Sequence, residues 1–275
     1  MCELLALSTR RAAHLNVSFE ALASHGGPSG GTRDGWGAAY YQGNAVALFR
    51  EPIAASDSDL ARWLGHSGPA TTLAVAHIRR ATLGSVCLAN TQPFVRELAG
   101  RSHVFAHNGH LPGIAQSAGL ACERYRPIGD TDSEHAFCAL LERLHGLWSH
   151  PAMSPSVEQR LHVVMQFAAD LRALGPANFF YADADADAEV LFAHGHRRIH
   201  PASGRIEPPG LFRLSQSSST AEQFPLAQSV AGEPDMQAVT LIASVPLDGR
   251  AWQPFAEGEV VVVAAGIVTH AGVTC

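Results

Sequence analysis

The sequence predicts a layered α+β fold, and three observations carry that expectation. Strand-like runs dominate both ends of the chain, two helical segments lie between them, and the regular strand–helix alternation of a parallel sheet is missing. With 275 residues, 47% hydrophobic and 16% charged, the chain has an ordinary globular composition and enough length to bury a sizeable core. A single domain over residues 2–275 is expected.

The elements follow in order. An apolar run from Cys2 to Leu7 reads as a buried strand, which places the start of the chain inside the fold. A short helix is expected around Phe19–Ser24. The loop at 25–37 carries five glycines before Trp36 and is suited to wrap a ligand closely. Residues 36–51 hold two β-prone runs split by Gln42-Gly43-Asn44, the composition of a hairpin turn. Further strands are expected at 71–80 and 102–111, the second running into an Asn108-Gly109 turn. Asp132 and Ser133 precede a helical pattern of Ala136, Phe137, Leu140, Leu141 and Leu144, and a second helix is expected over Val157–Leu174. Strands resume at 177–184, 189–195, 238–245 and 259–266. Residues 215–233, rich in Ser, Gln, Ala and Pro, read as a long surface excursion, and the acidic repeat at 183–190 as a solvated hairpin tip.

Charge and cysteines narrow the partners and the compartment. A net charge of -6 without a basic stripe argues against nucleic acid and against an anionic membrane surface, leaving a small molecule or a protein as partner. Five cysteines without a C-x-x-C pair argue against a disulfide framework or a zinc ribbon, and reduced thiols point to the cytoplasm. Cys87, Cys122 and Cys138 read as core thiols. The first eleven residues lack the features of a signal peptide, and no window approaches the length of a membrane-spanning helix. No cofactor is expected, and neither the acidic repeat nor the His194/His196 and His107/His110 pairs has the ligand spacing of a metal site.

The chemistry-bearing residues are few. Removal of Met1 gives Cys2 a free α-amine beside its own thiol, so nucleophile and base share one residue; the amine, with a reference pKa of about 7.7–8.0, can accept a proton near neutrality. Taken alone, Cys2 is more simply a small buried hydrophobe. Arg79, at the end of a strand, has the planar fork that binds a carboxylate bidentately, or else makes a surface ion pair. Asn108 and Gly109 offer a side-chain amide and a closely approachable backbone N–H, the donor types of an oxyanion hole, or else a simple turn. Asp132 can receive an α-ammonium, or else serve a helix N-terminus with Asp130, Thr131 and Ser133.

Taken together and in this order, the N-terminal Met-Cys-Glu-Leu-Leu, the Gly-rich loop closing on Asp34-Gly-Trp-Gly37, Ala76–Thr82, Ala106–Gly109 and Gly129–Glu134 resemble the class II glutamine amidotransferases over the first half of the chain. Asn90–Phe94 and Thr131–Glu134 resemble most the stand-alone subgroup. The resemblance implies a four-layer αββα sandwich of two mainly antiparallel sheets, of the N-terminal nucleophile hydrolase type. It also implies hydrolysis of the γ-amide of glutamine, or of a related γ-glutamyl compound, through a Cys2 thioester. In that scheme Arg79 holds the α-carboxylate, Asp132 the α-ammonium, Thr82 adds a contact, and Asn108 with the Gly109 N–H stabilises the oxyanion.

The sequence departs from the synthase-linked amidotransferases at Arg80 and Leu83, where those enzymes commonly carry an aromatic residue and a histidine, so their loop closure and ammonia retention are not implied. No phosphate-cradling loop and no acceptor domain are recognised. The chain is therefore expected to hydrolyse its substrate alone or to pass ammonia to a separate protein. Three alternatives stay open: a Cys-type acylase acting on other amides, a γ-glutamyl peptide hydrolase of thiol metabolism, and a non-catalytic glutamine-binding partner subunit.

Overall fold

The computed structural model describes residues 2–24, 32–148, 154–184, 188–200, 203–218, 228–229 and 237–273. From the N-terminus the chain runs through β1 (Glu3–His14), α1 (Asn16–Ser24), a hairpin of β2 (Trp36–Gln42) and β3 (Ala45–Glu51), α2 (Asp59–Ser67), β4 (Thr71–Ile78), β5 (Phe94–Leu98), β6 (Arg101–Gly109), α3 (Asp132–Trp148) and α4 (Val157–Leu174). It continues through β7 (Ala177–Ala184), β8 (Glu189–Gly195), the short β9 (Arg198–Ile199) and β10 (Ile206–Glu207), β11 (Phe212–Ser218), β12 (Gln228–Ser229), β13 (Gln237–Ala243), β14 (Gln253–Pro254), β15 (Glu259–Ala264) and β16 (Ile267–Val273).

Two antiparallel sheets result. One runs β14–β11–β13–β1–β4–β2–β3 with β12 beside β1, the other β16–β15–β8–β7–β6–β5, and β9 with β10 forms a separate ribbon. The alternation of side chains along a strand then stacks the layers. On β1, Leu5 and Leu7 pack with Phe19 and Leu22 of α1 and Ala61 and Leu64 of α2. Their neighbours Leu4 and Ala6 face the other way, onto Val104, Ala106, Phe180 and Ala182 of the second sheet. The outer face of that sheet buries Phe105, Phe179 and Phe192 under Phe137, Leu141, Phe167 and Leu171 of α3 and α4. The order is thus helices, sheet, sheet, helices: the αββα sandwich that the resemblance implied.

Local chemistry explains the element ends. The Gln42-Gly43-Asn44 turn forms as expected, with Gly43 at φ +64°. Helix α4 spans Val157–Leu174 and opens on a reciprocal capping box between Ser156 and Gln159. At the start of α3, the Thr131 hydroxyl accepts the Glu134 N–H at 3.2 Å.

Several expectations are corrected. Asn108 and Gly109 do not form a turn: they are the last residues of β6, opposite Asn178 and Ala177 of β7, because the neighbouring strand offers a ladder that a turn would forgo. Asp183 is not at a solvated tip: it lies in β7, fully buried, and pairs with the equally buried Arg160 of α4; residues 185–187 of the acidic repeat lie outside the described residues. Ser215–Ser218, assigned to the surface excursion, extend β11 along β13; most of the rest of that excursion, like residues 25–31 of the Gly-rich loop, lies outside the described residues. Cys138 is buried, but Cys87 and Cys122 are half-exposed rather than core thiols. Helix α2 was not anticipated, although Ser58 caps it by accepting the Ala61 N–H at 2.9 Å.

Candidate active site

The site grows from the ends of three central strands. Strands β1 and β4 pair antiparallel with Glu3 opposite Ile78, so the start of the chain and the segment after β4 meet at one edge of the first sheet. There the Cys2 thiol lies between both polar atoms of the Arg80 peptide: it accepts the Arg80 N–H at 3.2 Å and donates to the Arg80 carbonyl at 3.3 Å. Burial pushes the thiol pKa up, the Arg80 N–H and the Arg79 charge oppose that, and the Asp132 charge adds to it. The thiol is therefore protonated near neutrality.

The second sheet contributes from β6. The Asn108 side-chain amide donates to the Cys2 carbonyl at 2.5 Å, and an amide nitrogen has a second hydrogen to give. Asn178 holds the Asn108 backbone in turn, donating to its carbonyl at 3.0 Å. Because the His110 N–H donates to the Pro176 carbonyl, Gly109 and Ala177 form a pair without mutual hydrogen bonds, and the Gly109 N–H points away from β7. A glycine is required at this position: a Cβ on Gly109 would stand 2.0 Å from the Pro176 carbonyl oxygen and 2.6 Å from the His107 ring.

Asp132 opens α3, with its carboxylate accepting the Leu111 N–H at 2.8 Å and lying 3.6 Å from His110. It lines a cavity of roughly 430 Å³ with Leu83, Asp130 and His110. Arg79 is buried, and its guanidinium donates to the carbonyls of Leu83, Gly84 and Ser85 at 3.0–3.3 Å. Asn90 ties that loop to Asp130, donating to Ser85 and to the Asp130 carboxylate and accepting the Asp130 N–H. Gly84 sits at φ +77° with Asp130 pressed against it. Arg79 thus holds a loop that closes one side of the Asp132 cavity. Thr82 is exposed and lines a different cavity, together with Arg80, Gly109 and His110.

Sequence reasoning passed over several residues that shape this site. The Gln92 side chain accepts the His107 N–H at 2.6 Å, and the His107 ring meets the Ser133 hydroxyl at 2.9 Å, which locks β6 to the start of α3. The Asp34 carboxylate accepts the Ala81 N–H at 2.8 Å and fixes the segment after Arg79. Gln92, His107, Ser133 and Asp34 are polar residues within the recognised motifs, but only the fold shows their partners. Among the described residues no group of three or more His, Cys, Asp or Glu is disposed to hold a metal ion, and no helix is long and apolar enough to cross a membrane.

An αββα sandwich whose central strand β1 follows directly on a cysteine, with a facing amide and glycine at the end of the opposite sheet, has an N-terminal nucleophile hydrolase type of architecture. The model of the family described as "Glutamine amidotransferases class-II" matches residues 1–274, and the chain belongs to that family. A protein of Escherichia coli (strain K12) named "Putative glutamine amidotransferase YafJ" is 33% identical over 260 residues, covering 94% of this chain and 96% of its own. The crystal structure of a predicted glutamine amidotransferase from Pseudomonas aeruginosa PA01 is similar with a TM-score of 0.64 and 30% identity, over 98% of this chain and 100% of that one. The glutamine phosphoribosylpyrophosphate amidotransferase of B. subtilis shares the fold alone: TM-score 0.62 at 14% identity, over 100% of this chain and 49% of that one.

Proposed function

We propose that this protein hydrolyses the γ-amide of glutamine or of a related γ-glutamyl compound through a thioester on Cys2, giving glutamate and ammonia or an amine. The observation that carries the reading is the Cys2 thiol gripped by the Arg80 peptide, with the Asn108 side-chain amide on the Cys2 carbonyl. Once Met1 is removed, the α-amine of Cys2 takes the thiol proton as the sulfur attacks the γ-carbonyl carbon. That base is needed because burial keeps the thiol protonated. The second amide hydrogen of Asn108 and the Gly109 N–H receive the developing oxyanion. The C–N bond then breaks, the departing nitrogen takes the proton from the α-ammonium, and water cleaves the thioester.

Asp132 holds the substrate ammonium in this scheme and Arg79 the α-carboxylate, which has to share or displace the loop carbonyls that Arg79 now contacts. Thr82, on the other cavity, belongs to the leaving-group side rather than beside Asp132. The protein acts as one cytoplasmic domain on a small molecule without a cofactor, and any ammonia acceptor is a separate protein. Protein beginning at Cys2 is expected to release glutamate from glutamine or a γ-glutamyl amide, and Cys2→Ala to release none. Equal release by both proteins would end the proposal.

A further inference from the structure

Two cavities meet at His110, which lines both, and Gly109 lines the second. Their chemistry is opposite. The first carries the carboxylates of Asp130 and Asp132. The second, roughly 450 Å³, is lined by the guanidinium-bearing Arg80, Arg197 and Arg198 and, among the described residues, by no acidic side chain. Arg80 is the residue whose peptide holds the Cys2 thiol, so this second cavity adjoins the candidate nucleophile, whereas Asp132 lines the first.

The cations are only partly neutralised. Glu257 pairs with Arg197 at 2.5 Å, and Glu3 acts electrostatically on Arg198, which leaves three guanidiniums against two carboxylates. Arg198 is 4% exposed; one terminal nitrogen donates to the Ser244 carbonyl, while its buried Nε has no hydrogen-bond partner among the described residues. A buried N–H left without a partner is costly, so the Arg198 charge is not fully satisfied within the fold. The same wall is apolar: Ile199 and Ile206 stand opposite each other in the β9–β10 ribbon, 46% and 53% exposed.

We propose that this cavity is a leaving-group subsite, and that the substrate is a γ-glutamyl-amino acid whose amine half is an apolar amino acid. Its carboxylate meets Arg80, Arg197 and Arg198, and its side chain lies on Ile199 and Ile206. This rests on the Cys2 thioester reading. As the sulfur–carbon bond forms and the amide C–N bond breaks, the departing amino acid takes the proton that came from the thiol; water then cleaves the thioester to glutamate and restores the thiol. Free glutamine, whose leaving group is ammonia, leaves the whole cavity unused.

The test compares kcat/KM for γ-glutamyl-leucine, for the γ-glutamyl amide of 3-methylbutylamine, which keeps the apolar group and lacks the carboxylate, and for glutamine. γ-Glutamyl-leucine is expected to exceed both by about tenfold or more, the scale of one charge-assisted contact. Arg197→Gln and Arg80→Gln are expected to lower the ratio of γ-glutamyl-leucine to its decarboxylated analogue. Equal turnover of all three substrates overturns the subsite and leaves the Cys2 reading intact, whereas glutamate from none of them overturns both. A ratio unmoved by either substitution overturns the assignment of the carboxylate to these guanidiniums.

Discussion

At the scale of single residues, the candidate site is a set of short polar contacts around one thiol. Asn108 is buried and already spends one amide hydrogen on the Cys2 carbonyl, so the proposed oxyanion role falls to the other. Asn108→Leu keeps the size and removes the donor. It is expected to lower kcat by about 10²–10³ with the fold retained, the scale of losing one oxyanion donor; a kcat within a factor of about two of the parent protein would argue against the role. Cys2, Arg79, Asn108, Gly109 and Asp132 all stand out in the sequence as candidate positions, and the fold places Cys2 between the peptide that follows Arg79 and the side chain of Asn108. The occupation of Arg79 by the carbonyls of 83–85 was not legible, because it depends on how a loop folds back onto the residue that precedes it. Asp183 shows the same limit from the other side. In an Asp-Ala repeat nothing local marks Asp183 as a residue to be buried against Arg160.

At the scale of elements, α3 links packing to the site. Its first residue is Asp132, its first turn is capped by Thr131, and its apolar face packs on Phe105 of β6, whose ring stacks on Phe137 at 5.4 Å. Loss of the cap therefore loosens, together with the helix, the carboxylate proposed to hold the substrate. Thr131→Ala is expected to cost about 1 kcal/mol in denaturant unfolding and to raise KM for a γ-glutamyl substrate; an unchanged midpoint would contradict the cap. Helix α4 was readable to its ends because its 3.6-residue apolar pattern and its Ser156/Gln159 box agree. Helix α2, only nine residues long, was missed although Ser58 and Asp59 precede Leu60 and Leu64 in the right order. The Asn108-Gly109 pair misled in the opposite direction: local turn preference yields to a strand partner that satisfies the backbone.

At the scale of the whole molecule, strand alternation made the two sheets legible but not their stacking. Leu4 with Ala6 and Leu5 with Leu7 are equally apolar, and only the packed fold tells which pair meets the other sheet and which the helices. Among the described residues the interior also holds five histidines whose burial drives their pKa values down, His77 and His194 to about 3, His103 and His107 to about 4, and His196 in the same direction. In the unfolded chain each titrates near 6.5. As pH falls below that value the unfolded state takes up protons that the folded state refuses, so this contribution to stability is present above about 6.5 and lost progressively toward 4. The denaturant midpoint is expected to be clearly lower at pH 5 than at pH 7, and equal midpoints would contradict the burial of neutral imidazoles. The central claim, that Cys2 with a free α-amine is the nucleophile, is tested most directly by the intact mass of the whole chain before and after exposure to an electrophilic glutamine analogue. The account predicts a mass beginning at Cys2 and one adduct, lost in Cys2→Ala. Protein with Met1 removed that forms no adduct, or forms it equally in Cys2→Ala, would contradict it.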